Sequence, residues 1–546
     1  MSRSTLLDLI RQAYRSQQAT RAGVSPEELA AAARSPGQSP RSQHPTPALP
    51  FSRRQMMGGM MAAGLMGLRP TRSLLANQSS VSNSAAGMGD RSTRVLIVGA
   101  GVAGLTAAYR LQQAGVPFDL VEASPRVGGR LRSLSQVKDY PGVVELGGEF
   151  IDTRHTAVRA IAQELGLELA DLRLADEGLE PEVLYFQGEK ISHQQVIEAF
   201  APLAQRIAKD LKTLRRSPVT YHAPSIRAIE LDRLSIAEYL AQTPISPVIE
   251  ELVKVAYITE YGRDAESQSC LNMIFLIGSE VGQWSTYGVS DERYHVRGGN
   301  DLVPRRLAEE IAVDIETGTM LESIRLKSDG RYQVSLRQGA TSGDRTYERI
   351  LLTVPFTVLR QVELAVDLPP IKQLAIDQLG YGTSTKLSIP FQERIWRSRY
   401  QSTISVYTDL DFQNTWESAR YATGSTGWLT DLRGGSGGLS LGTGQPEGQA
   451  QHLVQELANI FPGLEQVKRG KAVRSFWSAE PYALGSYSCY LPGQWTTLGG
   501  AEGERVGNIW FAGEHCSLLS QGYMNGACET AEAAAQDIIN ETANVG

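Results

Sequence analysis

Cysteine is scarce in this chain. Its 546 residues hold four, Cys270, Cys489, Cys516 and Cys528, with no C-x-x-C pair and no metal-ligand spacing. That excludes a disulfide framework and a cysteine metal centre, and leaves free core thiols. An excess of positive charge is lacking too. The formal net charge is −6, which argues against a nucleic-acid partner. Long apolar runs are missing as well. Met56 to Leu68 carries no charge, but its thirteen residues fall short of the roughly twenty that span a bilayer. The length points to two domains.

Glycine is present where it carries chemistry. Arg94 to Arg130 reads RVLIVGAGVAGLTAAYRLQQAGVPFDLVEASPRVGGR. Val95 to Val98 is an apolar run bounded by glycine and predicts a buried parallel strand. Gly99, Gly101 and Gly104 follow as G-x-G-x-x-G, and Ala103 to Gln113 shows a helical pattern. A second strand, Pro117 to Val121, ends at Glu122, about twenty residues beyond the glycines. Strand, turn, helix, strand and acid form a dinucleotide-binding unit. Gly99 permits the tight turn, Gly101 lets a pyrophosphate reach the backbone, and Gly104 lets helix and strand pack closely. The helix N-terminus faces the phosphates, and Glu122 accepts from ribose hydroxyls. NAD and FAD both fit these residues.

Arg126-Val127-Gly128-Gly129-Arg130 follows. A glycine pair before an arginine sets more N–H groups and a guanidinium beside the dinucleotide. This resembles the GG-doublet flavoproteins, and among them the flavin monoamine oxidase family. The far end of the chain carries the more specific likeness. Asn508 to Ala512 reads as a strand, Gly513-Glu514 follows, and Gln521-Gly522-Tyr523-Met524-Asn525-Gly526-Ala527 opens a helix. Such a helix start can set its dipole against flavin O2 or the phosphates. The resemblance runs from about Arg94 to Ile538 and implies non-covalent FAD, because Ser486 stands where animal monoamine oxidases attach it to cysteine.

By this resemblance the fold is α/β: a discontinuous Rossmann-type FAD-binding domain (91–155, 291–355 and 481–546) with an α+β substrate-binding domain (156–290 and 356–480). The latter carries a helical insertion over Ile191 to Leu276, broken at Pro218, Pro224, Pro244 and Pro247. Val143 to Asp152 reads as a strand ending in the pair Gly147-Gly148, followed by a helix capped by Asp152 or Thr153. The Gly- and Ser-rich stretch Gly434 to Gly448 reads as a surface loop. Trp284 and Tyr287 are core or cavity wall. Before the domain lie a variable region (1–50), a signal-like segment (51–76) and a linker (77–90). Arg53-Arg54 ahead of the apolar stretch resembles a twin-arginine signal, which exports folded proteins. It implies a transient partnership with the Tat translocon and a periplasmic, thylakoid-lumenal or membrane-associated location, or a cytoplasmic one if the signal goes unused.

The resemblance implies a cofactor set of Gly99, Gly101, Ala103, Gly104, Glu122, Ala123, Arg130, Gly147, Gly148, Glu149, Leu321, Gly513, Glu514, Gly522, Tyr523 and Met524. Lys386, in a strand from Tyr381 to Phe391, corresponds to a lysine that holds a water against flavin N5. Tyr487 and Tyr523 correspond to the aromatic pair facing the amine. Phe150 stands where L-amino-acid oxidases carry a carboxylate-gripping arginine, and the acidic Glu149 beside it favours a cationic substrate group. The implied activity is oxidation of a primary or secondary amine to an imine, with O2 or a quinone as acceptor and a homodimer compatible with the reading. An L-amino-acid oxidase or dehydrogenase, above all for basic amino acids, stays open because an arginine from elsewhere can serve. A carotenoid-desaturase-like flavoprotein shares the opening motif only. A non-catalytic flavin scaffold is the alternative of another class.

Overall fold

The computed structural model describes residues 94–135, 137, 142–214 and 219–543. The expected short N-terminal helices, the twin-arginine segment and the linker lie outside the described residues. Among the described residues no helix is long and apolar enough to cross a membrane.

Five parallel strands form the first layer. Their order is Ile509–Phe511, Arg349–Leu352, Val95–Val98, Phe118–Val121 and Ile315–Glu316. All four residues of Val95–Val98 are buried, and strand alternation divides them between two cores. Val95 and Ile97 meet the helices Val102–Gln113 and Met524–Ala543. Leu96 and Val98 meet Ile324 and Val334 of a four-stranded sheet on the opposite face. That second sheet runs Thr341–Tyr347, Tyr332–Gln338, Thr319–Leu326, Glu363–Ala365. Two sides need covering, so the strand reads as a continuous apolar run.

The remaining layer is a seven-stranded sheet of mostly antiparallel strands. Its order is Val473–Phe476, Thr385–Phe391, Gly427–Arg433, Asn414–Glu417, Val406–Thr408, Val183–Phe186, Glu189–Ile191. Helices His193–Thr213, Ile226–Asp232, Ile236–Ala241, Pro247–Tyr261 and Cys270–Leu276 pack together and share one core with Leu184, Phe186 and Tyr407 of this sheet. Pro247 opens its helix rather than breaking one, because position N1 needs no N–H, and the Ser246 hydroxyl caps the turn. Trp284 belongs to this core, edge-on to Phe200 at 4.9 Å.

Some local expectations fail for physical reasons. Gly435–Leu441 is a helix, and Gly435 and Gly438 in it are buried. A Cβ on Gly438 would lie 2.3 Å from the Thr383 carbonyl oxygen, so close packing accounts for the glycine there. The helix after the second glycine pair is Thr156–Glu164, with His155 at its cap position. Asp152 is diverted, its carboxylate accepting from the Ser290 hydroxyl and the Glu292 N–H. The strand before that pair shrinks to Val144–Glu145, and the last helix begins at Met524.

Candidate active site

The first parallel strand ends at a cavity of about 510 Å³. Its wall draws on both ends of the described chain, on the seven-stranded sheet and on the helical insertion. Every sequence-predicted site residue lines it except Gly104. Gly104 does the packing job expected of it, since a Cβ there would lie 1.8 Å from the Gly99 carbonyl oxygen. Gly101 is different. Its φ of −72° suits any residue, and a Cβ would meet no protein atom closer than 4.0 Å. Internal packing does not require glycine there, whereas an occupant lying against the backbone does. Gly101 caps helix Val102–Gln113 with no side-chain hydrogen bond, so the helix end offers its first N–H groups to that occupant. Glu122 braces the loop, accepting from the N–H of Ala100 at 2.7 Å and of Ser124 at 2.8 Å.

Arg130 and Glu514 join the two ends. The Arg130 guanidinium donates to Glu514 Oε1 at 2.8 Å and to the Ser486 carbonyl at 2.7 Å. Glu514 also accepts from the Ser488 N–H and hydroxyl and from the Gly522 N–H. Burial opposes its charge, but Arg130, His515 and Ser488 together hold the carboxyl below its ordinary range.

Lys386 lies on a strand buried along its whole length. Its ammonium donates to the Gly147 carbonyl at 2.8 Å, the Glu145 carbonyl at 3.3 Å and Glu149 Oε2 at 2.7 Å. Glu149 Oε1 accepts from the Trp416 indole at 2.8 Å. Glu149 is thus the counter-charge of Lys386, which corrects the expectation that it favours a cationic substrate. Phe150 lies 5.5 Å from Trp416, and the Arg420 guanidinium sits 5.6 Å from the Phe150 ring.

Tyr487 and Tyr523 come to one place, the C-terminal end of helix Pro247–Tyr261. Tyr487 donates to the Thr259 carbonyl at 3.2 Å, and the Tyr523 hydroxyl donates to Glu260. The Tyr523 ring rests 4.9 Å from His155. Burial pushes both phenols far above the ordinary tyrosine value, so their hydroxyls stay protonated. The cavity thus has both ends of the described chain on its wall, the closing motif as well as the opening one. A profile of the flavin-containing amine oxidoreductases matches residues 102–539. The chain belongs to that family.

Flavin-containing amine oxidoreductases bind FAD, and the uncapped helix and the free space at Gly101 fit that group. The L-amino-acid oxidase of Siganus canaliculatus is 25% identical over 471 residues, covering 83% of this chain and 86% of its own. An L-amino acid dehydrogenase of Synechocystis sp. is 24% identical over 462 residues, covering 81% and 94%. A putrescine oxidase solved with putrescine shares the fold with a TM-score of 0.70 at 19% identity, covering 83% of this chain and 100% of that one.

Sequence reasoning missed several cavity residues: Glu260 and Tyr261 of the insertion, Glu292, and Tyr407, Asn414, Trp416 and Arg420 of the seven-stranded sheet region. Burial, Glu260 and Asp152 push the Glu292 carboxyl up to about 8. Burial pushes that of Glu260 up to about 7, against the Tyr523 hydrogen bond. No local spacing announces any of these residues.

Proposed function

We propose that this protein oxidises a primary or secondary amine to an imine. The observation that carries the reading is the meeting of Tyr487, Tyr523 and the Lys386–Glu149 pair on one cavity with the two glycine motifs. FAD, when bound, would supply a two-electron acceptor for the hydride beside the amine nitrogen, with O2 or a quinone as the final acceptor. The chain's own contribution is placement and desolvation. Desolvation at the reacting end, beside Tyr487, disfavours an ammonium there and so favours the neutral amine that can react. Glu149 and two carbonyls fix the Lys386 ammonium at the second glycine pair. Arg126 donates to the Val127, Gly129 and Leu131 carbonyls and shapes the first pair. Ser486 is buried and hydrogen-bonded to Ser384, and none of the four cysteines lines the cavity, which supports non-covalent FAD.

A second reading, an L-amino-acid oxidase or dehydrogenase, is favoured by Arg420. Its guanidinium reaches the cavity wall beside Phe150, from a different element than the arginine it would replace. The twin-arginine segment supports export of the folded, FAD-loaded chain.

Anaerobic mixing with putrescine, phenylethylamine, L-arginine or L-lysine tests the function. At least one should bleach the yellow flavin and release peroxide on admission of air. No bleaching by any amine, and no turnover with O2 or a quinone, would overturn it.

A further inference from the structure

We propose that Glu260 and Glu292 form a subsite for a second cationic group, so that the amine oxidised here carries two positive charges, as a diamine or a basic amino acid does. The proposal rests on the amine-oxidising function above and specifies its substrate.

The charges on the cavity wall carry it. Among the described residues four cationic side chains line the cavity, and each is already engaged. Arg130 pairs with Glu514 at 2.8 Å, Lys386 with Glu149 at 2.7 Å and Arg420 with Asp176 at 2.9 Å, while Arg126 is held by three carbonyls. The lining acids are engaged as well, with two exceptions. Glu122 accepts from backbone N–H groups, Asp152 from Arg154 and Ser290, and Glu480 lies 3.7 Å from Arg132. Glu260 has only the Tyr523 hydroxyl. The Glu292 carboxylate accepts no hydrogen bond and pairs with no cation among the described residues; only its N–H is engaged, by Asp152 Oδ1 at 3.1 Å. An entering cation therefore displaces no partner of the Glu292 carboxyl and at Glu260 meets a single hydroxyl donor.

Two further observations point to a cation. Glu260 lies in the last turn of helix Pro247–Tyr261, where the helix dipole presents its negative end. A carboxylate there is unfavourable for the helix, and the two together attract positive charge. Aromatic side chains lie beside the acids: Tyr287 and Tyr407 interact with both carboxyls, and Tyr523 with Glu260. Tyr407 donates to Tyr287 at 3.0 Å, and Tyr287 to the Ala256 carbonyl at 3.1 Å, so these hydroxyls are occupied. Aromatic faces beside carboxylates hold ammonium and guanidinium groups by cation–π attraction and ion pairing. A neutral substrate tail would leave the half-buried Glu292 carboxyl with no partner among the described residues, and Glu260 with the Tyr523 hydroxyl alone.

Matched pairs test this on the FAD-loaded enzyme. Cadaverine and pentylamine differ by one terminal ammonium, and so do L-lysine and L-norleucine. In at least one pair kcat/KM should favour the charged member by about tenfold to a hundredfold, mostly through KM. Glu292→Gln should shrink that ratio to near one, and Glu292→Asp should keep part of it. Glu260→Gln serves as a second variant, and FAD content checks the fold of each. A large ratio in the cadaverine pair assigns a diamine, and one in the lysine pair a basic amino acid. Ligand-induced melting shifts of the holoenzyme score binding even without turnover. If neither these four compounds nor putrescine, phenylethylamine or L-arginine reduces the flavin but melting still separates the pairs, the function fails and the subsite stands. If all four turn over with equal KM, or Glu292→Gln leaves the ratio intact, the function stands and the subsite falls.

Discussion

At the Arg130 end of the cavity the Glu514 carboxylate accepts four hydrogen bonds, one from a guanidinium. At the Tyr287 end the Glu292 carboxylate accepts none among the described residues. Both groups are largely withdrawn from water, yet one is held below the ordinary carboxyl range and the other is pushed up to about 8. The first end is internally neutralised. Its acids and bases tie together backbone segments that are far apart in the chain, and its charge is balanced before anything binds. The second end is left with an acid that keeps its proton near neutrality until an occupant supplies positive charge. Rigidity for a cofactor and selectivity for a substrate thus follow from two treatments of the same chemical group.

The largest expected effect separates two glycines of one motif. Gly104→Ala forces a Cβ to 1.8 Å from a backbone oxygen, so the helix must leave the strand. We expect loss of soluble protein, or destabilisation by more than about 4 kcal/mol. Gly101→Ala has room within the chain, so the protein should stay soluble and fold but lose flavin. Soluble yield, melting and the flavin-to-protein ratio read the two outcomes. If Gly101→Ala keeps a full complement of flavin, the assignment of that space to the cofactor breaks. Next in size, Glu514→Gln leaves Arg130 without its counter-charge and should cost about 3 kcal/mol, with flavin released on gel filtration. A variant as stable and as yellow as the parent would show that the clamp is dispensable.

Lys386 tests where the two ends meet. Lys386→Met should slow flavin reoxidation by O2 about a hundredfold while flavin stays bound. It also strands the Glu149 carboxylate, whose remaining partner is the Trp416 indole. The double variant Lys386→Met with Glu149→Gln removes that buried charge. Stability should return in the double variant and the reoxidation rate should not. If the rate returns too, the single variant reported a stranded acid rather than a role for the ammonium.

These contrasts mirror what was readable from the chain. Gly99, Gly104, Glu122 and the strand from Val95 carry local signals, because a tight turn and a two-sided strand leave fixed spacings. The motif at Glu514 was readable, but its partners were not. Its bonds to Arg130 and Ser488 cross 384 and 26 residues respectively. Glu149 was misread for the same reason, since nothing beside it predicts Lys386, 237 residues away. Glu260 sits in an ordinary helical pattern. Glu292 sits in a loop, with a left-handed φ of 41° that the sequence does not betray. Both become cavity wall only once the insertion packs on the seven-stranded sheet. The glycine-rich helix at Gly435 misled because close approach and looseness draw on the same residue type.

The smallest effect concerns pH. The folded chain holds a proton on Glu292 up to about pH 8, whereas the ordinary value is 4.5. Between these the native state binds more protons than the unfolded one, so this group's contribution to stability is full below pH 4.5 and is lost as pH rises toward 8. Glu260, Asp152 and Glu149 push in the same direction as burial, and Arg420 opposes them. Glu292→Gln should match the parent's melting temperature in acid. It should exceed the parent by about 2 °C above neutrality, flattening the fall with pH. A bound second cation favours the ionised carboxylate instead. The melting shift produced by cadaverine or L-lysine should therefore grow as pH rises from 6 toward about 8, in step with ionisation of the acid. If Glu292→Gln keeps the parent's slope, the charge imbalance at this end of the cavity resides elsewhere, and the contrast with Glu514 loses its second member.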